Sequence, residues 1–451
     1  MRAVIVIANL SSFNALFMSS ALNVALPSIG REFQMDPILQ GWVNTSFLLA
    51  IAPFLIPFGK LGDLYGRKKI FLAGLYVLAA SFLLITLSPS GSIIIACRAL
   101  QGFACAMMYA NMVPILITAV PLSERGHALG VVTATTYLGF AAGPFLGGII
   151  TYHLGWRFIF WLLFLVTLIP IMLTHLRFES DRRAGQWEMF DLTGAIILGG
   201  GLLTAMLGFS TLPDLSGALL MAGGILCLLY FGYFERHASY PIVNMDLFLH
   251  NSVFAFSVIA ALISYAATFA VSFLLSLYLQ NIKSLTPQFT GVILLAQPLV
   301  QAFFSPLAGR LSDRMEPRLL ASGGMVCTFL GLIMLLFLGN DSSLTYVLLC
   351  LVMQGLGFAL FSSPNTNAIV SSVERDAFGV ASATLSTMRQ VGMTLSMGIV
   401  MLAMSLFLGK AEIIPGDSGQ FLNCMRVSFG IFALLCLGGI FASLARGNLK
   451  Q

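Results

Sequence analysis

Arg98 carries the most pointed chemistry in this chain. It stands about six residues into a long apolar run, hence about 9 Å along a helix at about 1.5 Å per residue. A cation inside a bilayer is costly and by default marks a solute or ion pathway. Gln101 lies one turn on, and Asn111 farther along the same run. The competing reading is a long side chain reaching back to the outer interface. Arg389 is different: the first turns of its run are polar, which places it at the cytoplasmic boundary. Three polar ridges recur at a spacing of four, so each lies along one helix face. They are Ser264, Thr268, Ser272 and Ser276; Gln297, Gln301 and Ser305; and Ser382, Ser386, Gln390 and Thr394. Bonds between helices are one use for such ridges; lining a solute path is the other. Gln297 and Gln301 are the better cavity candidates, because a glutamine is costly to leave unpaired in lipid.

A second group of residues repeats. Gly59-Lys60-Leu61-Gly62-Asp63-Leu64-Tyr65-Gly66-Arg67, followed by Lys68 and Lys69, has a shorter echo in Gly309-Arg310-Leu311-Ser312-Asp313-Arg314. The glycines permit a short turn between closely packed helices. Asp63 can accept from backbone amides or guanidinium groups, and an acid is favoured at a helix N-terminus. Fixing topology is the plainer role for the charges, but it does not require an aspartate beside a repeated glycine pattern. Gly139, Gly143 and Gly147 share one helix face, with Gly148 beside them, and permit close helix approach. Pro144 removes a backbone donor and bends that helix.

Other chemistries find little support. The seven cysteines lie in or beside apolar runs without a CxxC, and the five histidines have no metal-ligand spacing. No GxxxxGK[ST] phosphate loop occurs. His127 with Glu124 is the only local pair a membrane-embedded enzyme could use, and a solvated loop explains it more simply. No Asp or Glu falls deep within an apolar run. Neither cofactor nor metal is expected. Proton coupling would then run through an interfacial acid or through the solute, and the solute would be neutral, amphipathic or anionic.

The elements that position these residues are membrane helices. Hydrophobic residues make up 58% of the 451 and charged residues only 9%. So few charges cannot solvate the surface of a soluble fold, whereas lipid can wet an apolar one. The net charge of +5 is no nucleic-acid footprint, because Lys and Arg are spread between apolar runs. Runs of about 20 apolar residues give fourteen spans. The first, near 4–27, reads as a retained helix, being long for a signal peptide. Sixteen of the 23 Lys and Arg fall on the side of the N-terminus and five on the other. That bias places both termini in the cytoplasm. Removing spans seven and eight leaves six on each side, with the repeated loop between the second and third of each. The expected divisions are 1–176, a six-helix bundle; 177–250, a linker with two helices; and 251–451, a second six-helix bundle. Such paired halves place a solute site at their interface near the midplane.

These residues also carry a resemblance. Gly59 to Lys69 resembles the signature loop of the major facilitator superfamily, and 309–314 its weaker second copy. Arg98-Ala-Leu-Gln101-Gly102 is similar to the fourth-helix motif. Leu138 to Gly148 is similar to the fifth-helix motif of exporters. Asn23-Val-Ala-Leu-Pro27 and Gly155-Trp156-Arg157-Phe-Ile-Phe160 match as well. With fourteen spans the chain resembles the drug/proton antiporter group. The resemblance implies an all-α efflux permease in the plasma or inner membrane, functional as a monomer, that exports small amphipathic compounds by alternating access. It implies that Gly59, Gly62, Asp63, Gly66, Arg67, Gly309, Asp313 and Arg314 form a latch between two bundle arrangements. Arg98, Gln101, Asn23, Gln297 and Gln301 are the candidates for coupling or substrate contact. Met18 stands near the position where many members of the group carry an acid, which weakens the case for proton coupling and for cationic drugs. An importer or facilitator is the alternative within the same class.

Overall fold

The computed structural model describes residues 2–121, 125–177, 191–237, 250–373, 378–409 and 419–447. The polar stretch 178–190, Glu124 and the side chains of Asp63, His127 and Asp313 lie outside the described residues. Lipid offers the backbone no hydrogen-bond partner, so apolar runs of this length fold as helices. The first bundle comprises α1 (Arg2–Glu32), α2 (Pro37–Ile51), α3 (Leu55–Tyr65), α4 (Arg67–Thr86), α5 (Gly91–Ala119), α6 (Arg125–His153) and α7 (Arg157–Arg177). A hairpin follows, α8 (Leu192–Ser210) and α9 (Leu215–Glu235). The second bundle comprises α10 (Ser252–Thr268), α11 (Val271–Leu277), α12 (Pro287–Leu294), α13 (Ala296–Arg314), α14 (Pro317–Leu336), α15 (Leu344–Ser371), α16 (Phe378–Phe407) and α17 (Gly419–Ala445). Thirteen crossings among the described residues are long and apolar enough to span a membrane. The 29-residue α6, packed along α1 and α12, makes the fourteenth.

Helix starts follow local chemistry. The Asp36 carboxylate accepts from the Leu39 amide at 2.7 Å, with Pro37 at the first helical position. Ser90, Asn251, Thr286 and Ser343 cap α5, α10, α12 and α15 in the same way. The glycine-rich segments differ from expectation. Gly59, Gly62 and residue 63 are not in a loop but in the last turns of α3, and Gly309 to Arg314 end α13. The turn after α3 is a single residue, Gly66, at φ 108°, a conformation that only glycine adopts freely. These glycines serve contact instead: a Cβ on Gly62 would strike the Asn111 side chain, and one on Gly309 would stand 3.0 Å from the Ser363 hydroxyl. The helices run on because cationic side chains can leave the hydrocarbon within one or two turns.

The hairpin lies against both bundles. On α8, Gly199 faces the Pro53 carbonyl, while Phe209 packs on Gly398 of α16. Leu202 and Met206 pack with Leu49 and Ala52. Helix α9 is the outer one and presents Leu226, Leu229 and Tyr233 to lipid.

Arg446, one of the sixteen Lys and Arg counted on the side of the N-terminus, is wholly buried at the end of α17. Its Nη1 donates to Asn365 Oδ1 (2.9 Å) and Ser257 Oγ (3.3 Å), and Asn365 Nδ2 donates to the Ser257 carbonyl (3.0 Å). One guanidinium thus ties α10, α15 and α17 together at one end of the second bundle. Burial pulls it down to about 10, which leaves it charged at neutral pH. Arg446→Ala strips Asn365 Oδ1 of its donor and is expected to lower the unfolding midpoint in detergent by about 2–4 °C. An unchanged midpoint in a thermal scan would remove the brace from this account.

Candidate functional site

A cavity of about 140 Å³ lies between the two bundles. At about 10–15 Å³ per water, that is room for a small organic molecule rather than a single ion. Helix α1 supplies Ser19 and Asn23, and α2 supplies Phe47 and Leu48. Ala15 and Leu16 of α1, Tyr109 of α5 and Phe140 of α6 complete the first bundle's wall. The second bundle contributes Tyr265, Thr268, Phe269, Ser272, Gln297, Gln301, Phe358, Gln390 and Met393. The wall is apolar and aromatic with a few convergent amides and hydroxyls, the usual character of a small-molecule site. Among the described lining residues there is neither Asp nor Glu.

The structure brings Asn23, Gln297 and Gln301 together in this wall. Thr268 and Ser272, two members of the first ridge, line it too, and Ser276 lies beyond them. Helix α10 ends just where the cavity needs it to. No proline or glycine stands near Thr268, yet α10 gives way to α11 there, and the freed Ala270 amide donates to Ser396 Oγ of α16 at 3.0 Å. A hydroxyl from a neighbouring helix thereby satisfies a backbone group that lipid would leave bare.

Arg98 and Gln101 stand outside the wall. Arg98 is wholly buried between α5 and α2; its Nε donates to the Val43 carbonyl (3.1 Å) and its Nη1 to Gln101 Oε1 (2.7 Å). It does not reach back to the outer interface. Its guanidinium carbon lies 4.4 Å from the centroid of the Phe47 ring. Gly102 makes this possible, because a Cβ there would strike the Phe47 carbonyl and hold α5 away from α2. Asn111, farther along α5, donates to the Phe58 and Met107 carbonyls (3.1 and 2.9 Å) and ties α5 to α3.

Arg389 is not at the boundary. It lies eleven residues past Phe378, the first residue of α16. About three turns of helix precede it, so the polar first turns do not leave Arg389 at the helix end. Its Nη2 donates to Thr366 Oγ1 at 2.8 Å, and its guanidinium carbon lies 5.5 Å from the Tyr265 ring centroid. Tyr265 and Gln390 line the cavity, so Arg389 sits one layer behind them. The aromatic members of the wall escaped sequence reasoning, because a Phe or Tyr in a membrane helix reads first as packing.

The bundles join on the side away from the cationic turns. Ser276 Oγ donates to the Asn23 carbonyl (2.6 Å), Gln280 Nε2 to the Val24 carbonyl (2.9 Å), and Thr45 Oγ1 approaches Met401 Sδ (3.1 Å). Across a second seam a Cβ on Gly148 would stand 2.5 Å from the Pro287 carbonyl, and one on Gly291 would strike the Pro144 carbonyl. The glycines of α6 divide their work. Gly139, Gly143 and Gly147 meet Phe13, Ser20 and Ala21 of α1 within the first bundle, whereas Pro144 and Gly148 meet α12 of the second. On the same side Glu32 accepts from Trp156 Nε1 (2.7 Å) and pairs with Arg157 (2.6 Å), joining the end of α1 to the start of α7.

Related proteins agree with this architecture. The profile of the Major Facilitator Superfamily matches residues 8–234 and 257–448. The riboflavin transporter RibZ of Clostridioides difficile is 26% identical over 98% of this chain and 96% of its own. The multidrug resistance protein Stp of Mycobacterium tuberculosis is 30% identical over 84% and 71%. The puromycin resistance protein of Streptomyces alboniger is 30% identical over 84% and 77%. Among solved structures, the nucleoside transporter NupG superposes with a TM-score of 0.67 at 12% identity, covering 98% of this chain and 99% of that one. Two helical bundles around a central cavity, fourteen crossings and the family profile along nearly the whole length place this chain in the major facilitator superfamily, as a multi-pass membrane transporter of small molecules.

Proposed function

We propose that the protein is an efflux permease that exports small amphipathic compounds by alternating access. The observation that carries this reading is the cavity between the bundles, with tight seams on the side away from the cationic turns. Taking the cationic side as cytoplasmic, the conformation is the inward-facing one, poised to take up solute from the cell. Asn23, Gln297 and Gln301 contact the solute. The ends of α3 and α13, with Gly59, Gly62, Asp63, Gly66, Arg67, Gly309, Asp313 and Arg314, act as the latch that holds one arrangement against the other. Arg98 and Gln101 brace the wall rather than touch the solute. The work is transport rather than catalysis, and one chain suffices for it. The hairpin α8–α9 is the linker between two functional halves. Proton coupling, where it operates, uses an acid at the membrane interface or the solute itself, since the described wall holds no carboxylate.

Flux measured in inside-out and right-side-out vesicles under an imposed pH gradient tests direction and coupling together. Accumulation is expected in inside-out vesicles with an acid interior. Accumulation that survives collapse of the gradient rules out the coupling. The solute contacts have their own test. Gln297→Ala and Gln301→Ala are each expected to raise KM about tenfold at unchanged expression, as loss of an amide contact costs about 1–1.5 kcal/mol. An unchanged KM in both variants takes them out of the solute site. A second reading, uptake of a metabolite, draws support from the riboflavin transporter, whose alignment spans 98% of this chain. It predicts accumulation in right-side-out vesicles instead.

A further inference from the structure

Two rings of the cavity wall, one from each bundle, carry a guanidinium. Arg98 packs on Phe47 with 4.4 Å between guanidinium carbon and ring centroid, and Arg389 packs on Tyr265 at 5.5 Å. Phe47 and Tyr265 line the cavity; neither arginine does. The hydrogen bonds that hold these arginines all go to neutral acceptors, namely the Val43 carbonyl, Gln101 Oε1 and Thr366 Oγ1. Arg389 Nε is buried without a partner. Both charges therefore stand behind the wall with no carboxylate against them among the described contacts. A guanidinium is a cationic group with donors only, so it adds positive potential behind each ring.

An aromatic face is ordinarily negative and attracts cations. A guanidinium on one face reverses that preference at the other. It draws π density toward itself and adds its own positive potential. A cation on the side of the Phe47 ring away from Arg98 would stand about 8 Å from that arginine, a distance over which a low-dielectric site screens poorly. A planar solute with an electron-rich or anionic ring system gains from the same arrangement. It packs against the wall that these rings share without meeting a desolvated carboxylate, and the amides of Gln297 and Gln301 can donate to its acceptors.

We propose that the cavity selects planar aromatic solutes that are neutral or anionic and rejects organic cations, because a lining ring from each bundle is backed by an arginine, Arg98 fully buried and Arg389 partly so. This rests on the transport reading for its consequence, but it is a statement about binding and is measured as binding.

The test uses the full-length protein in lipid nanodiscs and four probes: anthracene-9-carboxylate, 9-anthracenemethanol, (9-anthracenylmethyl)trimethylammonium and adamantane-1-carboxylate. Affinities of the three fluorescent probes are read by anisotropy, and that of the adamantane by competition. The planar anion and the planar alcohol are expected to bind at least about tenfold more tightly than the planar cation, and the planar anion about tenfold more tightly than the non-planar one. Arg389→Gln is expected to narrow the anion-to-cation ratio by about tenfold while Arg389→Lys retains most of it. Tyr265→Leu is expected to erase the planar preference and leave the charge preference. The proposal is overturned by a cation that binds as tightly as the anion, by equal affinity for the two carboxylates, by an unchanged ratio in Arg389→Gln, or by no binding of either planar probe at millimolar concentration. Proteoliposome flux of the same probes is scored separately. Selective binding without flux sinks the transport reading and leaves this inference standing; flux with cations preferred does the reverse.

Discussion

Gly148→Leu is expected to abolish transport while leaving a folded protein in the membrane. Gly148 sits where α6 meets α12, and even a Cβ there would stand 2.5 Å from the Pro287 carbonyl. A leucine adds three further carbons to a contact with no room for one. Neither neighbour can yield by rotating a side chain, because the atom in the way belongs to the backbone. Overpacking a tight contact costs about 1–3 kcal/mol, and the seam is where that cost is relieved by separating the bundles. Each bundle keeps its own core, so α1 on α6 and α10 on α15–α17 remain packed. The conformational equilibrium then moves toward the arrangement in which this seam is open. A shift of about 2–3 kcal/mol is a factor of about 30–150 in population, enough to leave too little of the closed form for turnover. The check is twofold. Flux is expected to fall below about 5% of the wild type, and thiol labelling of a Ser272→Cys reporter from the side away from the cationic turns is expected to rise. Gly291→Leu, which meets the Pro144 carbonyl across the same seam, is expected to match it. Normal flux in both variants would show that this seam does not have to close.

Arg98→Ala has the second largest expected effect, and for a different reason. The guanidinium serves two buried acceptors, the Val43 carbonyl and Gln101 Oε1, and lies on the Phe47 ring. Alanine orphans Gln101 Oε1, at about 1–3 kcal/mol, while the Val43 carbonyl keeps the Ser46 hydroxyl. It also leaves a hole behind a wall residue. Phe47 loses its backing and α2 its tie to α5. Because Arg98 stands outside the wall, the loss for an uncharged solute is expected in maximal rate and stability, at least about tenfold in rate, with KM changed by less than about threefold. Lysine keeps the charge without the planar fork, so Arg98→Lys is expected to recover only part of the rate. A large rise in KM with full maximal rate would mean that Arg98 touches the solute after all.

Much of this architecture was legible because bilayer physics constrains it so tightly. Apolar run length and the alternation of cationic turns suffice for helix number. The glutamine pair pointed to the cavity because Gln297 and Gln301 share a face and have no cheap place in lipid. What escaped were features that depend on helices distant in sequence. The break after α10 has no local signal, since the group that stabilises it is Ser396, on another helix. Arg389 looked superficial because its helix begins with polar turns, and only the packing of α16 against α10 brings it behind Tyr265. Tyr265, Phe47 and Phe358 gave no warning, as aromatic residues in a membrane helix are ordinary packing. The glycine-rich segments were read as loops on composition, whereas their glycines let helix ends meet and only Gly66 turns the chain. Arg446 counted as one more topological charge until its bonds to Asn365 and Ser257 placed it inside the second bundle.

A reversible bridge across the other seam tests whether the two bundles must part for solute to cross. Thr45 and Met401 face each other between α2 and α16, with 3.1 Å between the hydroxyl oxygen and the sulfur. Cysteines at both positions, joined by a short bifunctional methanethiosulfonate, pin the two bundles together on that side. Alternating access predicts that flux drops to background when the bridge forms and returns when reductant cuts it, with the native protein and each protein carrying only one of the two substitutions unaffected by the reagent. Bridged protein that transports at the unbridged rate would mean that solute crosses without the bundles parting there.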